Sequence, residues 1–80
     1  MTIETLGVDI AKTVFQLHGM NRSGRAVLKR RVMRDKLLAV VAQIEPCTIV
    51  VEACTGAFYW ARKFEALGHQ VKVILSLIHI

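Results

Sequence analysis

Thr48-Ile49-Val50-Val51-Glu52 is a short apolar run closed by an acid. It is rich in β-branched residues and does not alternate. It therefore reads as a strand covered on both faces, as in a parallel sheet. What flanks it sets the topology. Upstream, Met33, Leu37, Val40, Val41 and Ile44 recur at helical spacing, with Leu38 beside them. Pro46 stops that helix, because the residue before a proline disfavours αR. Downstream, Thr55 is an N-cap candidate for a second helix over residues 57–67. That helix carries Ala57, Trp60, Ala61, Phe64 and Leu67 on one face, with Gly68 at C′. Residues 70–75 form the last strand.

Working towards the N-terminus, residues 3–10 read as a strand with Leu6, Val8 and Ile10 on one face and Gly7 and Asp9 on the other. Residues 13–20, with Val14, Phe15 and Leu17, form a second strand. Asn21-Arg22-Ser23-Gly24 is a turn signal, since Asn and Gly tolerate positive φ. Residues 25–32 form a third strand, with Ala26, Leu28, Arg30 and Val32 on one face and Val27, Lys29 and Arg31 on the other. That pattern suits the sheet edge. Short connections make these three an antiparallel meander. The order β-β-β-α-β-α-β then gives an α/β fold, a mixed sheet with helices on its faces.

The chain has 80 residues, 54% hydrophobic and 21% charged, with one Pro. That is one small domain or a piece of a larger one, and its composition excludes a disordered chain. The mean hydropathy of +0.44 is high for so small a domain. It implies apolar surface buried against something else, or a chain cut short. Residues 75–80, Leu-Ser-Leu-Ile-His-Ile, have no charge, cap or turn signal. Residues 1–75 read as one unit and 76–80 as an atypical apolar tail, a truncation or a reading-frame scar. The other reading is a last strand running on to residue 80. Exposed apolar surface of this kind predicts self-association. No apolar run approaches the roughly 18–20 residues that span a bilayer, and the start lacks signal-peptide character. The expectation is a cytoplasmic protein without a membrane partner. Cys47 and Cys54 lack metal-site spacing and read as reduced, buried small residues. His18, His69 and His79 show no ligand spacing either.

Eleven Lys and Arg against six Asp and Glu give a net charge of +5. Arg25, Lys29, Arg30, Arg31 and Arg34 fall close together with no acid among them. Such a cluster attracts phosphate through counterion release, although a solvated basic hairpin fits the residues equally well. Two acids matter more. Asp9 and Glu52 close apolar strands, and a carboxylate there is costly to bury unless paired or metal-bound. If the first and fourth strands are parallel neighbours, both acids project from the end of the sheet where open α/β sheets hold ligands. Two converging carboxylates suit Mg²⁺ or Mn²⁺ and phosphodiester chemistry. The alternative is structural: Asp9 accepting backbone N–H bonds in a turn, and Glu52 capping the second helix.

Gly7-Val8-Asp9-Ile10-Ala11-Lys12, the Phe15-containing strand, and Val51-Glu52-Ala53-Cys54-Thr55-Gly56-Ala57-Phe58-Tyr59-Trp60-Ala61 together resemble the transposases of the insertion-sequence "one-one-ten" family. These are DEDD-type enzymes with a RuvC-like, RNase H-like catalytic domain, and the likeness covers roughly residues 5–74. The element order derived above is also that of the RNase H-like fold.

The resemblance implies excision and insertion of a mobile DNA element, with a structured guide RNA choosing sites. It makes Asp9 the first and Glu52 the second catalytic acid, both ligands of Mg²⁺ or Mn²⁺. The family's third and fourth acids would lie beyond this chain, since no Asp or Glu follows Glu65. The domain with the family's serine nucleophile would lie beyond it too, and Ser76 is not that serine. The chain then looks like the N-terminal part of such a transposase, with an incomplete RNase H-like domain and half a metal site, inactive alone. The full-length protein would bind DNA and form a homo-oligomer. Lys12, Arg22, Arg25, Arg30, Arg31 and Arg34 would contact nucleic-acid backbone, although a solvated turn lysine fits Lys12 as well. Two rival readings remain. One is an actin-like or sugar-kinase-like ATPase, which also begins with a meander and an Asp but places Gly soon after it. The other is a non-catalytic basic module that only binds nucleic acid.

Overall fold

A computed structural model describes residues 2–11, 13–54 and 56–74. The expectations for Lys12, for the Thr55 cap and for the 75–80 tail lie outside the described residues. The strands are β1 (Thr5–Asp9), β2 (Val14–Met20), β3 (Ala26–Met33), β4 (Thr48–Glu52) and β5 (Gln70–Ile74). The helices are α1 (Leu37–Ala42), preceded by a 3-10 turn at Arg34–Lys36, and α2 (Ala57–Ala66). The strands form one sheet in the order β3-β2-β1-β4-β5. β2 is antiparallel to both β1 and β3, and β4 is parallel to both β1 and β5. The α/β class, the element order and the mixed sheet are as the sequence predicts.

The β2–β3 turn is closed by backbone bonds from the Asn21 N–H to the Arg25 carbonyl and from the Gly24 N–H to the Asn21 carbonyl, and by one side chain. Asn21 Oδ1 accepts from the backbone N–H of Ser23 and of Arg25, each at 3.0 Å. Gly24 supplies the left-handed residue, φ 81°. Beyond the turn β3 runs one residue further than expected. The Arg34 N–H donates to the Thr13 carbonyl at 2.8 Å, so the ladder outlasts Val32 and Met33 is extended. Met33 is therefore 55% exposed rather than the first apolar position of a helix. α1 also ends early, at Ala42, which leaves Ile44 in the turn before Pro46.

Both helices cover the same face. The buried set comprises Leu6 and Val8, Phe15 and Leu17, Val32, Ile49 and Val51, against Leu37, Val41, Ala57, Trp60 and Phe64. Strand alternation puts all those strand residues on one side. The expectation of helices on both faces is corrected, and the reason is topological. β3, β1, β4 and β5 all run the same way, and both crossovers travel in the same direction across the sheet. A single crossover handedness then puts both helices on one side. β4 is accordingly covered on one face only: Ile49 and Val51 are buried, Thr48 and Val50 half-buried. Leu67, expected on the buried face of α2, is its exposed C-cap residue, and Gly68 follows at φ 98° as the C′ residue. Among the described residues no helix is long and apolar enough to cross a membrane.

The aromatic centre of the core joins sheet to helix. Phe15 meets Trp60 edge-on with centroids 5.2 Å apart, and Trp60 stacks near Phe64 at 6.0 Å. At the opposite end of the sheet, His69 is 4% exposed. Its Nδ1 accepts from the Cys47 N–H at 3.2 Å, so its Nε2–H donates to the Val41 carbonyl at 3.1 Å. One neutral imidazole thus ties the end of α1 to the start of β4. Burial pushes the Cys47 thiol up, with Glu4 adding to the effect, which suits a reduced thiol. Cys54 departs from expectation: it is exposed, because it lies past the end of β4 in the connection to α2.

Two outcomes follow for urea unfolding of the purified chain. Phe15→Ala lowers stability by about 3–5 kcal/mol, while Phe58→Ala, at a site 66% exposed, changes it by about 0.5 kcal/mol or less. His69→Phe keeps the ring volume but leaves the Cys47 N–H without its acceptor, a loss of about 1–3 kcal/mol.

Candidate metal centre

Asp9 ends β1 and Glu52 ends β4. The two strands are parallel and in register, with Gly7 opposite Val50 and Val8 opposite Val51. One residue further, Asp9 and Glu52 stand side by side. Alternation puts Asp9 on the side of Gly7 and Glu52 on the side of Val50, so both carboxylates leave the face that no helix covers. Neighbouring strands lie about 4.8 Å apart, so two such carboxylates can reach one cation. Both acids border an open cleft of about 230 Å³ with Gly7, Val8, His18, Val50 and Ile74. Gly7 gives this cleft a flat floor beside His18.

The geometry alters the reasons for singling these acids out. Both are exposed, so the cost of burying a carboxylate does not apply to them. What remains is convergence. Neither structural alternative is seen: among the described residues neither carboxylate makes a side-chain hydrogen bond. The N-cap position of α2 is Gly56, with no side-chain cap. Four carboxylate oxygens on adjacent strand ends are hard donors, and Mg²⁺ commonly takes one or two carboxylates and fills its octahedron with water or phosphate oxygens. The pair fits such an ion. Among the described residues no group of three or more His, Cys, Asp or Glu comes together, so the pair is not a complete cage. Sequence reading gave His18 no role. It lines the cleft because β2 pairs with β1 at Gly7, a juxtaposition that only the strand register reveals.

The basic residues do not form one surface. Arg31 stands opposite Gln16, and Lys29 opposite His18, on the open face that carries the acids. Lys72 of β5 lies beside Val50 on that face too. Arg30 pairs with Leu17 and so belongs to the helix side, exposed only because β3 is the edge strand. Arg22 and Arg25 sit at the hairpin tip beyond Met20, which pairs with Thr5, at the end of the sheet opposite the acids. Arg34 is on the helix side, its guanidinium carbon 5.2 Å from the centroid of the Trp60 ring. The open face therefore has an acidic rim with Arg31 level with Asp9 and with Lys29 and Lys72 two residues behind it.

No family model matches the chain. It is similar to proteins named transposases. It is 40% identical over 74 residues to a probable family 20 transposase of Pseudomonas aeruginosa, covering 92% of this chain and 22% of that protein. It is 43% identical over 72 residues to a transposase for an insertion sequence element of Coxiella burnetii, 90% of this chain and 20% of that protein. A transposase for an insertion sequence element of Yersinia enterocolitica is 36% identical over 72 residues, again 90% of this chain and 22% of its own length. The chain spans about a fifth of the length of the curated relatives it matches, and nine-tenths of the chain lies within that similarity.

Proposed function

We propose that this chain is the metal-binding part of an insertion-sequence transposase with an RNase H-like, RuvC-like catalytic domain. The observation that carries the reading is the in-register parallel pairing of β1 and β4, with exposed acids at two adjacent strand ends. The similarity to named transposases supports it, as does the strand order. Asp9 and Glu52 hold Mg²⁺ or Mn²⁺, and two further acids of the DEDD set come from the rest of the full-length protein. Asp9 and Glu52 would hold a divalent ion there, which would supply Lewis-acid polarisation of a phosphodiester and a lower pKa for an attacking hydroxyl or water.

The chain's own residues do the rest. The two carboxylates fix where the scissile phosphate sits relative to the sheet end. The flat floor at Gly7 lets a backbone approach the acids closely. Arg31, Lys29 and Lys72 supply a positive field along the open face that draws phosphates towards the rim. The substrates of the full-length protein are the element ends and target DNA, with a guide RNA selecting sites and a homo-oligomer bringing two ends together. With two carboxylates alone, the 80-residue chain binds divalent metal weakly and does not cleave or join DNA.

Two measurements test this. In amide NMR of the chain, substoichiometric Mn²⁺ broadens Gly7, Asp9, Val50 and Glu52 first, and Asp9→Asn abolishes that selectivity. Uniform broadening over the surface refutes the metal site. In the full-length protein, Asp9→Asn and Glu52→Gln each lower excision and insertion by about 100-fold or more while leaving DNA binding within about threefold. Unchanged recombination by Asp9→Asn would instead leave a basic module that only binds nucleic acid. Tight ATP binding without nucleic-acid binding would favour the ATPase reading.

A further inference from the structure

On the helix side of the same sheet end lies a second groove, of about 580 Å³, whose walls include Ile10, Arg34, Cys54, Tyr59 and Trp60. A recess of about 460 Å³ continues it past Arg34 and Tyr59 to Thr13, Met33 and Asp35. Its wall carries Tyr59, Trp60 and Arg34, and Lys63 sits just outside it over the Tyr59 ring. Tyr59 is 47% exposed and stands edge-on to Trp60, with centroids 5.2 Å apart and planes at 88°. Lys63 Nζ lies 5.4 Å from the Tyr59 centroid, and Arg34 covers Trp60. Trp60 has a sufficient structural role in its contacts with Phe15 and Phe64. Tyr59 has none of that burial, and neither its exposure nor the Lys63 ammonium over its ring serves the core.

We propose that this groove binds an unpaired nucleotide of a single-stranded nucleic acid, its base stacked on Tyr59 and its flanking phosphates taken by Arg34 and Lys63. The chemistry is that of single-strand platforms: an exposed ring gives a face to any base, and cations beside it track the backbone. Lys63, which covers the ring in the free chain, swings to a phosphate when the base takes its place. Asp35, the acid at the far end of the recess, limits the positive stretch to the Arg34–Lys63 segment. The groove and the acid cleft open on opposite faces of one rim, where β1 and β4 end. A strand crossing that rim would be gripped on one side and presented to Asp9 and Glu52 on the other. The inference rests on the nucleic-acid reading above, and its test is independent of the metal.

Trp60 is the sole tryptophan in the sequence, so its fluorescence reports this groove directly. The purified chain is titrated, in EDTA, with homopolymeric deoxy- and ribo-oligonucleotides and with duplex DNA. Single strands quench Trp60 and protect the exposed Cys54 from iodoacetamide, whereas duplex does neither at the same concentration. Tyr59→Leu weakens the quench by about tenfold or more, and Tyr59→Phe retains it. Arg34→Gln lowers the salt slope of binding by about 1. All of this is read in EDTA, with no metal held by Asp9 and Glu52, which separates the groove from the metal site. The ratio of deoxy to ribo affinity identifies whether DNA or RNA is the natural strand. Equal quenching by duplex, or a quench indifferent to Tyr59→Leu, overturns the proposal. So does a fluorescence change that follows protein concentration without oligonucleotide, which would mean that a second copy of the chain fills the groove.

Discussion

The parallel, in-register pairing of β1 with β4 is the constraint from which the rest of the molecule follows. Side chains alternate along a strand, so a one-residue slip would turn either Asp9 or Glu52 to the helix side and separate the pair. The register is protected by the core. Leu6 and Val8 are buried together with Ile49 and Val51, and a slip would expose one apolar pair while burying an acid. The same hydrophobic contacts that hold the sheet therefore hold the two carboxylates side by side. No direct contact between the acids is needed to keep them there, and at close range they repel unless a cation intervenes.

The second consequence is asymmetry between the two faces. Because both crossovers run the same way across the sheet, α1 and α2 share one face, and the aromatic core of Phe15, Trp60 and Phe64 sits under them. The other face is left with Gly7, Val14, Gln16, His18, Val50 and the cations of β3 and β5. The folded unit is anchored on one side and open on the other. At the far end His69 pins α1 to the start of β4 by bonding to Val41 and Cys47.

Much of this was legible in the residues, and the failures share a cause. Strand and helix existence, the Asn21 turn, the Gly68 stop and the edge position of β3 all follow from local pattern, because each depends on a few neighbouring residues. The coverage of β4 did not. A short apolar run looks the same whether two layers of helix cover it or one layer and its own sheet neighbours do, and Val50 between Gly7 and Lys72 is the second case. Met33 and Cys54 were misjudged for the same reason. One is carried into the strand by the hydrogen bond from Arg34 to Thr13, and the other is carried past the end of β4. The cost of burial does not apply to the acids, since both are exposed; β1 and β4 are parallel neighbours, which puts both acids at one end of the sheet. His18 carries no signal in the sequence, since its position matters only through register, whereas helix phase alone puts Tyr59 off the buried face of α2, where it is exposed.

The basic cluster shows how three dimensions divide what is contiguous in the chain. Arg30 and Arg31 are adjacent, but strand alternation sends them to opposite faces, and Arg34 rounds the end of β3 onto Trp60. One run of sequence thus supplies positive charge to both sides of the sheet. Counterion release depends on how many phosphates are neutralised, not on the cations sharing one plane, so a strand that wraps a rim can draw on both sets. Among the described strand residues, a flat duplex laid on the open face meets Arg31, Lys29 and Lys72. This geometric difference gives a flexible single strand more of the chain's charge than a rigid helix can reach. It also lets the fold combine grip on one face with access to Asp9 and Glu52 on the other.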